Sequence, residues 1–108
     1  NVFEFSVNFP DQVKNIYGGV QGGMIASAID EATFICILMD TQNIERVSST
    51  NHHVLFHKPV QLGKNFIKVK FIKIGKRVIN IEGNLYGKSG VLAATLIHST
   101  SIIRKKED

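Results

Sequence analysis

The sequence predicts one α+β domain over residues 1–108, in which a single long helix packs against an antiparallel sheet of five strands in the order β-α-β-β-β-β. Three observations lead to this prediction. Residues 24–39 are apolar nearly all the way round a helix, which is typical of a core helix. The segments on either side alternate apolar and polar residues, as half-buried strands do. Short turns with Gly or Pro separate the later segments.

The first strand and the helix follow from local signals. The strand is predicted where apolar residues alternate with polar ones, at Phe3, Phe5, Val7 and Phe9. Pro10 ends this strand, and a polar approach over residues 12–17 leads to two pairs of glycines. The helix is predicted from about Gly22 to about Met39, before a polar connection over residues 40–46.

Four strands are predicted after the helix, over residues 47–57, 66–74, 78–86 and 91–103. The first of these is rich in Ser, Thr, His and Val, so both of its faces are partly polar. Turns are predicted between the strands at residues 59–63, 75–76 and 87–90. Because one sheet must cover a helix that is apolar nearly all round, we expect the sheet to curl around it. Pairing with a second copy of the domain would also cover apolar helix surface.

Composition narrows the classes of partner and compartment. The net charge of +4 favours anionic ligands, but no RNA-binding signature or zinc-finger spacing accompanies it, so a phosphate-bearing small ligand and no nucleic acid are predicted. The single Cys36 cannot form an internal disulfide, which predicts a cytoplasmic location and a buried, unreactive thiol. Asp30 and Glu31 interrupt the longest apolar stretch, so no membrane partner is predicted.

Asp30 is the leading candidate for chemistry because it places a charge in the middle of an apolar helix. Such a charge is costly unless it is paired, partly wet or used. A carboxylate in a buried cleft is also a candidate for acid–base or nucleophilic work. The alternative is a buried carboxylate satisfied by backbone or hydroxyl groups. Glu31 points about 100° further round the helix and is predicted to be a solvated or salt-bridged neighbour.

Three motifs give the chain a resemblance to a known family. They are Asn15-x-x-Gly18-x-x-Gln21-Gly22-Gly23 with Asp30 nine residues after Gln21, then Phe56-His57-Lys58-Pro59-Val60-x-x-Gly63, and finally Gly75-Lys76-Arg77. In this order and spacing they resemble the hotdog-fold acyl-CoA thioesterases of the phenylacetate-degradation (PaaI-like) type. The resemblance covers about residues 15–101. The family's usual motif has His where this chain has Gln21.

The resemblance implies the hotdog fold, with a five-stranded sheet wrapped around a central helix. It also implies a two-fold homodimer with a continuous ten-stranded sheet, often paired into a dimer of dimers. The active sites of such a dimer lie at the interface and use both chains. The implied substrate is an acyl-CoA, whose CoA moiety is part of the substrate, so no separate cofactor is expected.

Thioester hydrolysis needs an oxyanion stabiliser and a group that delivers or activates water. The Gly22 amide, at the helix N-terminus, would supply the first, because the first helical N–H groups lack intrahelical partners. Asp30 would supply the second, as general base or nucleophile. Asp30 lies eight residues beyond Gly22, about 12 Å along the axis. One thioester carbon cannot reach both groups of one helix, which favours a site shared by two chains.

Other candidates surround these two residues, each with an ordinary alternative. The Gln21 amide would orient the carbonyl or the water, or cap the helix. Asn15 would hold the loop or the thioester carbonyl. Ser49, ten residues before Pro59, would position water or be an ordinary strand serine. Four residues would lie near the CoA phosphates or be solvated surface groups: His57, Lys58, Lys76 and Arg77.

Two other functions compete with hydrolysis. The main alternative is a non-catalytic acyl-CoA sensor or carrier-binding module on the same fold, which the absence of the family's His keeps open. A hotdog dehydratase would need an Asp and a His in a different local arrangement. Three histidines, His52, His53 and His57, suggest a metal site, and His53 and His57 share a strand face. No nearby Cys or carboxylate completes a ligand set, so a metal site is not predicted.

Overall fold

The computed structural model describes residues 2–105, so Asn1 and residues 106–108 of the predicted domain lie outside the described residues. The elements are β1 Val2–Phe9, α1 Gly22–Asp40, β2 Ile44–Phe56, β3 Gly63–Ile74, β4 Val78–Tyr86 and β5 Leu92–Arg104. Their number and order agree with the prediction. Three details differ. β2 begins three residues before the predicted Val47, and β3 begins at Gly63, three residues before the predicted Phe66. A 3-10 turn at Asp11–Val13 was not predicted.

The five strands form one antiparallel sheet in the order β1-β3-β4-β5-β2, which confirms the predicted α+β architecture. Strands β1 and β2 are the edges, so each pairs with a single neighbour. β2 pairs with β5 along nearly its full length, with His52 opposite His98. A bulge between Ser49 and Asn51 keeps residues 47 and 49 on the same face of the sheet as residues 52 and 54.

Helix α1 packs against the sheet at Gly83 of β4. A Cβ atom on Gly83 would overlap the Ile29 side chain and lie 3.2 Å from Thr33 Cγ2. The absence of a side chain therefore sets how deeply the helix sits on the sheet. The buried side of α1 carries six residues, namely Ile25, Ile29, Ala32, Thr33, Cys36 and Ile37.

The opposite side of α1 is exposed in the single chain, although the sequence pattern suggested burial nearly all round. Met24, Phe34 and Leu38 are 42%, 38% and 50% exposed. They recur at the spacing of one helix face, so the sheet of one chain covers only part of the apolar helix surface.

By length and composition alone, α1 is apolar enough to cross a membrane. Asp30 and Glu31 therefore do not exclude a membrane span on composition, as the sequence suggested they would. The core helix of a globular domain passes the same test. Ile29 and Ile37 are fully buried between α1 and the sheet. This packing accounts for the apolar residues on the buried side of α1.

Cys36 lies on the buried side of α1, as predicted. Burial raises the pKa of its thiol to about 11, and the negative charge of Asp40 contributes to the increase. The thiol therefore stays protonated at neutral pH. Because the thiolate is the reactive form, this environment opposes nucleophilic use of Cys36.

Replacing Gly83 by Ala should destabilise the protein by about 1–3 kcal/mol, because the added methyl group must displace Ile29 or push the helix away from the sheet. Chemical denaturation followed by circular dichroism measures this loss. Gly87→Ala is the matched control, since its nearest neighbour would be Asn65 Oδ1 at 3.9 Å. Equal stability of the two variants would contradict the proposed close approach.

Candidate active site

The loop before α1 is held together by Asn15. Its Oδ1 accepts hydrogen bonds from the amides of Tyr17 at 2.9 Å and Gly19 at 3.1 Å. The Val20 amide then donates to the carbonyl of Val60 at 2.8 Å, which fixes the loop against the turn between β2 and β3. The Asn15 side chain is thus used to shape the loop that presents the start of the helix.

The N-terminus of α1 presents free backbone donors. The Gln21 side chain caps the helix, because its Oε1 accepts from the Met24 amide at 2.9 Å. Among residues 2–105, the amides of Gly22 and Gly23 have no hydrogen-bond acceptor. A Cβ on Gly22 would touch the Phe56 ring at 3.4 Å, so the glycine leaves the most room for a carbonyl at this position.

A cleft of about 690 Å³ opens at this helix start. Asn15, Gly22, His57 and Lys58 are among its lining residues, whereas Asp30 and Ser49 are not. This group of residues is called the Gly22 half-site below. Its exposed amides and glycine-lined floor suit a carbonyl oxygen that acquires negative charge.

The four predicted phosphate-binding residues fall into two places. His57 and Lys58 line the Gly22 cleft, and His57 Nε2 donates to Thr95 Oγ1 at 3.0 Å, which leaves Nδ1 available. Thr95 accepts this bond because its own hydroxyl donates to Asn84. Lys76 and Arg77 instead line a separate cleft beside Arg104, so one chain does not bring the two pairs together.

Asp30 faces two histidines. Its Oδ1 lies 3.0 Å from His52 Nε2 and 3.5 Å from His98 Nδ1. The rings of His52 and His98 are in edge contact, with centroids 4.3 Å apart. The Asp30 side chain remains 40% exposed, whereas His98 is completely buried. Asp30 is therefore partnered by imidazoles, and it is neither the backbone-satisfied buried carboxylate nor an isolated charge.

The hydrogen bonds around His98 assign its tautomer. The Thr33 hydroxyl donates to the Asp30 carbonyl at 2.9 Å, so it can only accept from His98 Nδ1, 2.8 Å away. Nδ1 therefore carries the proton of the neutral ring. Nε2 is then an acceptor, and Ser49 Oγ donates to it at 2.8 Å. The Ser49 oxygen keeps its lone pairs for another donor, such as water.

Burial lowers the pKa of His98 below its ordinary value, and the neighbouring His52 lowers it further. Asp30 acts in the opposite direction but does not reverse the shift. His98 is consequently neutral at physiological pH, in agreement with the tautomer that its hydroxyl partners require. Together, Asp30, Ser49, His52 and His98 are called the Asp30 half-site below.

Sequence reasoning missed His98 and the pairing of His52 with Asp30. A signal for His98 was present, since it alternates with Leu96 and Thr100 on the buried face of the last strand. A histidine in that apolar alternation needs partners, which indicates a polar cluster. The alternation does not identify those partners, because they come from α1 and from β2.

Comparison with known proteins adds a family to this geometry. The family model described as the thioesterase superfamily matches residues 17–94. This range includes both half-sites except Asn15 and His98. No curated protein matches the sequence significantly.

Solved structures share the fold. A phenylacetic acid degradation-related protein of Ralstonia eutropha, a thioesterase candidate, is 26% identical, with 94% of this chain and 76% of that chain covered and a TM-score of 0.86. Thioesterase superfamily member 2 of Mus musculus is 24% identical, with 93% and 74% covered and a TM-score of 0.81. A Bacillus halodurans protein crystallised with CoA is 20% identical, with 95% and 68% covered and a TM-score of 0.85. These matches confirm the predicted hotdog fold.

The lowered pKa of His98 predicts a loss of stability in mild acid. An unfolded histidine takes up its proton near pH 6.5, but native His98 takes it up only at lower pH. The free energy of unfolding is therefore unaffected by this group above about pH 6.5. Below that pH the unfolded state binds a proton that the native state does not, so the free energy of unfolding falls by at most about 1.4 kcal/mol per pH unit. Denaturation at about pH 7.5 and about pH 5.5, in buffer with a chelator, measures the difference.

His98→Gln should show a smaller decrease over the same interval, and an equal decrease would contradict the prediction. Should that variant not fold, the pKa of His98 in the wild-type protein is measured by NMR titration. A value at or above the ordinary histidine value would contradict the neutral buried ring.

Proposed function

The chain belongs to the thioesterase superfamily, and from this premise we propose that it hydrolyses an acyl-CoA thioester to free CoA and a carboxylic acid. One observation carries the proposal: helix α1 presents unpartnered amides at Gly22 and a partly exposed carboxylate at Asp30. These are the two kinds of group that thioester hydrolysis requires. Structures of similar fold from Bacillus halodurans and Streptococcus mutans contain CoA and acetyl-CoA, which supports a CoA ester as ligand.

The Gly22 half-site would hold the thioester carbonyl. The helix N-terminus places free N–H groups and the positive end of the helix dipole where the oxyanion develops. These donors are already fixed by the Gln21 cap, so they need little reorganisation during the reaction. Asn15 supports this half-site by holding the loop that precedes it.

The Asp30 half-site would supply the attack on the thioester carbon. Asp30 would act as general base on a water molecule or as the nucleophile itself. Only Oδ1 contacts the two histidines among the residues described, which leaves Oδ2 for water or substrate. Ser49 would help to position water, because its proton is donated to His98 and its oxygen remains an acceptor.

The two half-sites need a second chain to meet. Gly22 and Asp30 are separated by about 12 Å along the same helix, and the Gly22 cleft contains no Asp30 half-site residue. Strand β2, which carries Ser49 and His52, is an edge strand with a free side. Pairing two β2 edges would continue the sheet across a two-fold axis and bring each Asp30 towards the partner's cleft.

Further proposals concern higher assembly and the cellular setting. The exposed face of α1, with Met24, Phe34 and Leu38, would be covered in a dimer of dimers. Lys76 and Arg77 are remote from the Gly22 cleft of their own chain, so they would reach CoA phosphates only from another chain. The single cysteine favours a cytoplasmic enzyme. The half-sites supply the hydrolytic groups without a cofactor.

A non-catalytic acyl-CoA-binding module is the second candidate. The observation that favours it is the use of the Gln21 side chain as a helix cap, at the position where the related motif has His. Such a module would keep the Gly22 cleft for the thioester but would not need Asp30. Hydrolysis and its dependence on Asp30 therefore discriminate the two functions.

Asp30→Asn should reduce hydrolysis by about a hundredfold or more, because it removes the acid–base or nucleophilic group while preserving size. Release of free thiol from short, medium, long and aryl acyl-CoA esters measures the rate and defines the acyl class. Glu31→Gln is the matched control and should retain activity, since Glu31 is exposed. Tight acyl-CoA binding without turnover, unchanged in Asp30→Asn, would favour the binding module.

Mixing two inactive variants should restore activity if the site is shared. Gly22→Val blocks one half-site and Asp30→Asn disables the other, so a mixed dimer contains one intact site. After unfolding and refolding together, about a quarter of the wild-type activity is expected. A mixture of Asp30→Asn and Ser49→Ala should gain no activity over the two variants measured separately, because both changes affect the same half-site. Rescue in neither mixture would contradict a shared site.

A further inference from the structure

We propose that Asp30, His52 and His98 form a binding site for a first-row transition-metal dication such as Zn²⁺, and that occupancy of this site stops hydrolysis. One ligand atom from each residue lies within 4.8 Å of the other two. The metal-binding part follows from these atoms alone. The inhibitory part rests on the proposed function, because it uses the role assigned to Asp30.

The spacing of the atoms fits tetrahedral coordination. With metal–ligand distances of about 2.0–2.1 Å, adjacent ligand atoms of a tetrahedral zinc site are separated by roughly 3.3 Å. The two measured separations from Asp30 Oδ1, 3.0 Å to His52 and 3.5 Å to His98, lie on either side of this value. The third separation joins the ligand nitrogens of His52 and His98. The His52 side chain is 39% exposed, so its ring has room to move and adjust that distance.

The chemistry of the three ligands selects the class of metal. Two imidazoles and one carboxylate suit zinc, cobalt, nickel or copper, whereas Mg²⁺ and Ca²⁺ prefer oxygen ligands. Among the described residues, no lysine or arginine forms an ion pair with Asp30. The negative charge of this carboxylate is therefore available to a cation. Because Asp30 and His52 are partly exposed, a fourth position remains open to water.

A second layer of hydrogen bonds already supports the metal-bound form of His98. If Nδ1 binds the metal, the ring proton moves to Nε2, which can donate to Ser49 Oγ at its present distance of 2.8 Å. Metal-ligating histidines commonly donate their other N–H in this way. A metal about 2.0–2.1 Å from Nδ1 would lie against the Thr33 hydroxyl, which is 2.8 Å from the same nitrogen. The Thr33 side chain would therefore turn away, or its oxygen would join the ligands. Metal binding needs a change of tautomer at His98 and a movement of Thr33.

The inference departs from the prediction that the chain holds no metal site. That prediction weighed His52, His53 and His57 and found no carboxylate or Cys nearby in the sequence. The fold places His52 and His98 beside Asp30, which lies on the helix. Metal binding would engage the same carboxylate that acts on water or thioester, so the metal-bound and hydrolytic states would exclude one another.

The test is titration of the metal-free protein with Co²⁺, followed by visible absorption, and with Zn²⁺, followed by competition and by the hydrolysis rate. We expect one Co²⁺ per chain, with the strong visible bands of a four-coordinate site, and displacement by Zn²⁺. His52→Gln should weaken binding by about tenfold or more, because it removes a ligand that is not needed for folding. His53→Gln is the matched control and should bind like the wild type.

Asp30→Asn provides a second ligand variant and should also weaken Co²⁺ binding. Zn²⁺ should abolish wild-type and His53→Gln hydrolysis, and should inhibit His52→Gln only at about tenfold higher concentration, each relative to its own metal-free rate. Absence of the Co²⁺ bands, or equal binding by His52→Gln and wild type, would overturn the site. If hydrolysis is never observed, the Co²⁺ spectra still decide the metal site while the proposed function fails separately.

Discussion

The close approach of helix α1 to Gly83 is the contact on which the rest of the structure depends. Because Gly83 has no side chain, Ile29 and Thr33 lie directly on the sheet. At this depth the Thr33 hydroxyl reaches His98 on β5, and the neighbouring Asp30 reaches His52 on β2. A helix held further from the sheet would break these contacts. One backbone position therefore links the packing of the core to the polar cluster.

The polar cluster shows how a charged residue is tolerated within an apolar helix. His98 is fully buried, but both ring nitrogens have hydroxyl partners, so the cost of burying a polar ring is offset. Burial keeps the His98 ring neutral, so Asp30 has no charged imidazolium beside it at that position. Asp30 itself remains partly exposed and contacts imidazoles in place of a lysine or arginine. The carboxylate is thus held in position without a permanent counter-ion, which suits either water activation or metal binding.

The surfaces that one chain leaves uncovered match the separation of its two half-sites. Edge strand β2 and the Met24–Phe34–Leu38 face of α1 are exposed, and the Gly22 cleft and Asp30 cluster occupy different parts of the same helix. A two-fold partner would address both features, because it pairs the free edge and supplies the missing half of each site. In the proposed dimer, assembly and catalysis would both follow from a helix whose apolar surface one sheet covers only in part.

The sequence by itself determined the elements and their order. Apolar periodicity and turn residues are local signals, and they predicted the strands and the helix to within a few residues. They also singled out Gly22 and Asp30 as candidate site residues, which stays a prediction. Only the tertiary structure decided that Asp30 meets His52 and His98, that Ser49 donates to His98, and that Lys76 and Arg77 lie away from His57 and Lys58. The physical reason is that strand alternation identifies the face on which a side chain lies. Its neighbours depend on strand order, register and the bulge at residues 49–51, which are set by contacts between distant parts of the chain.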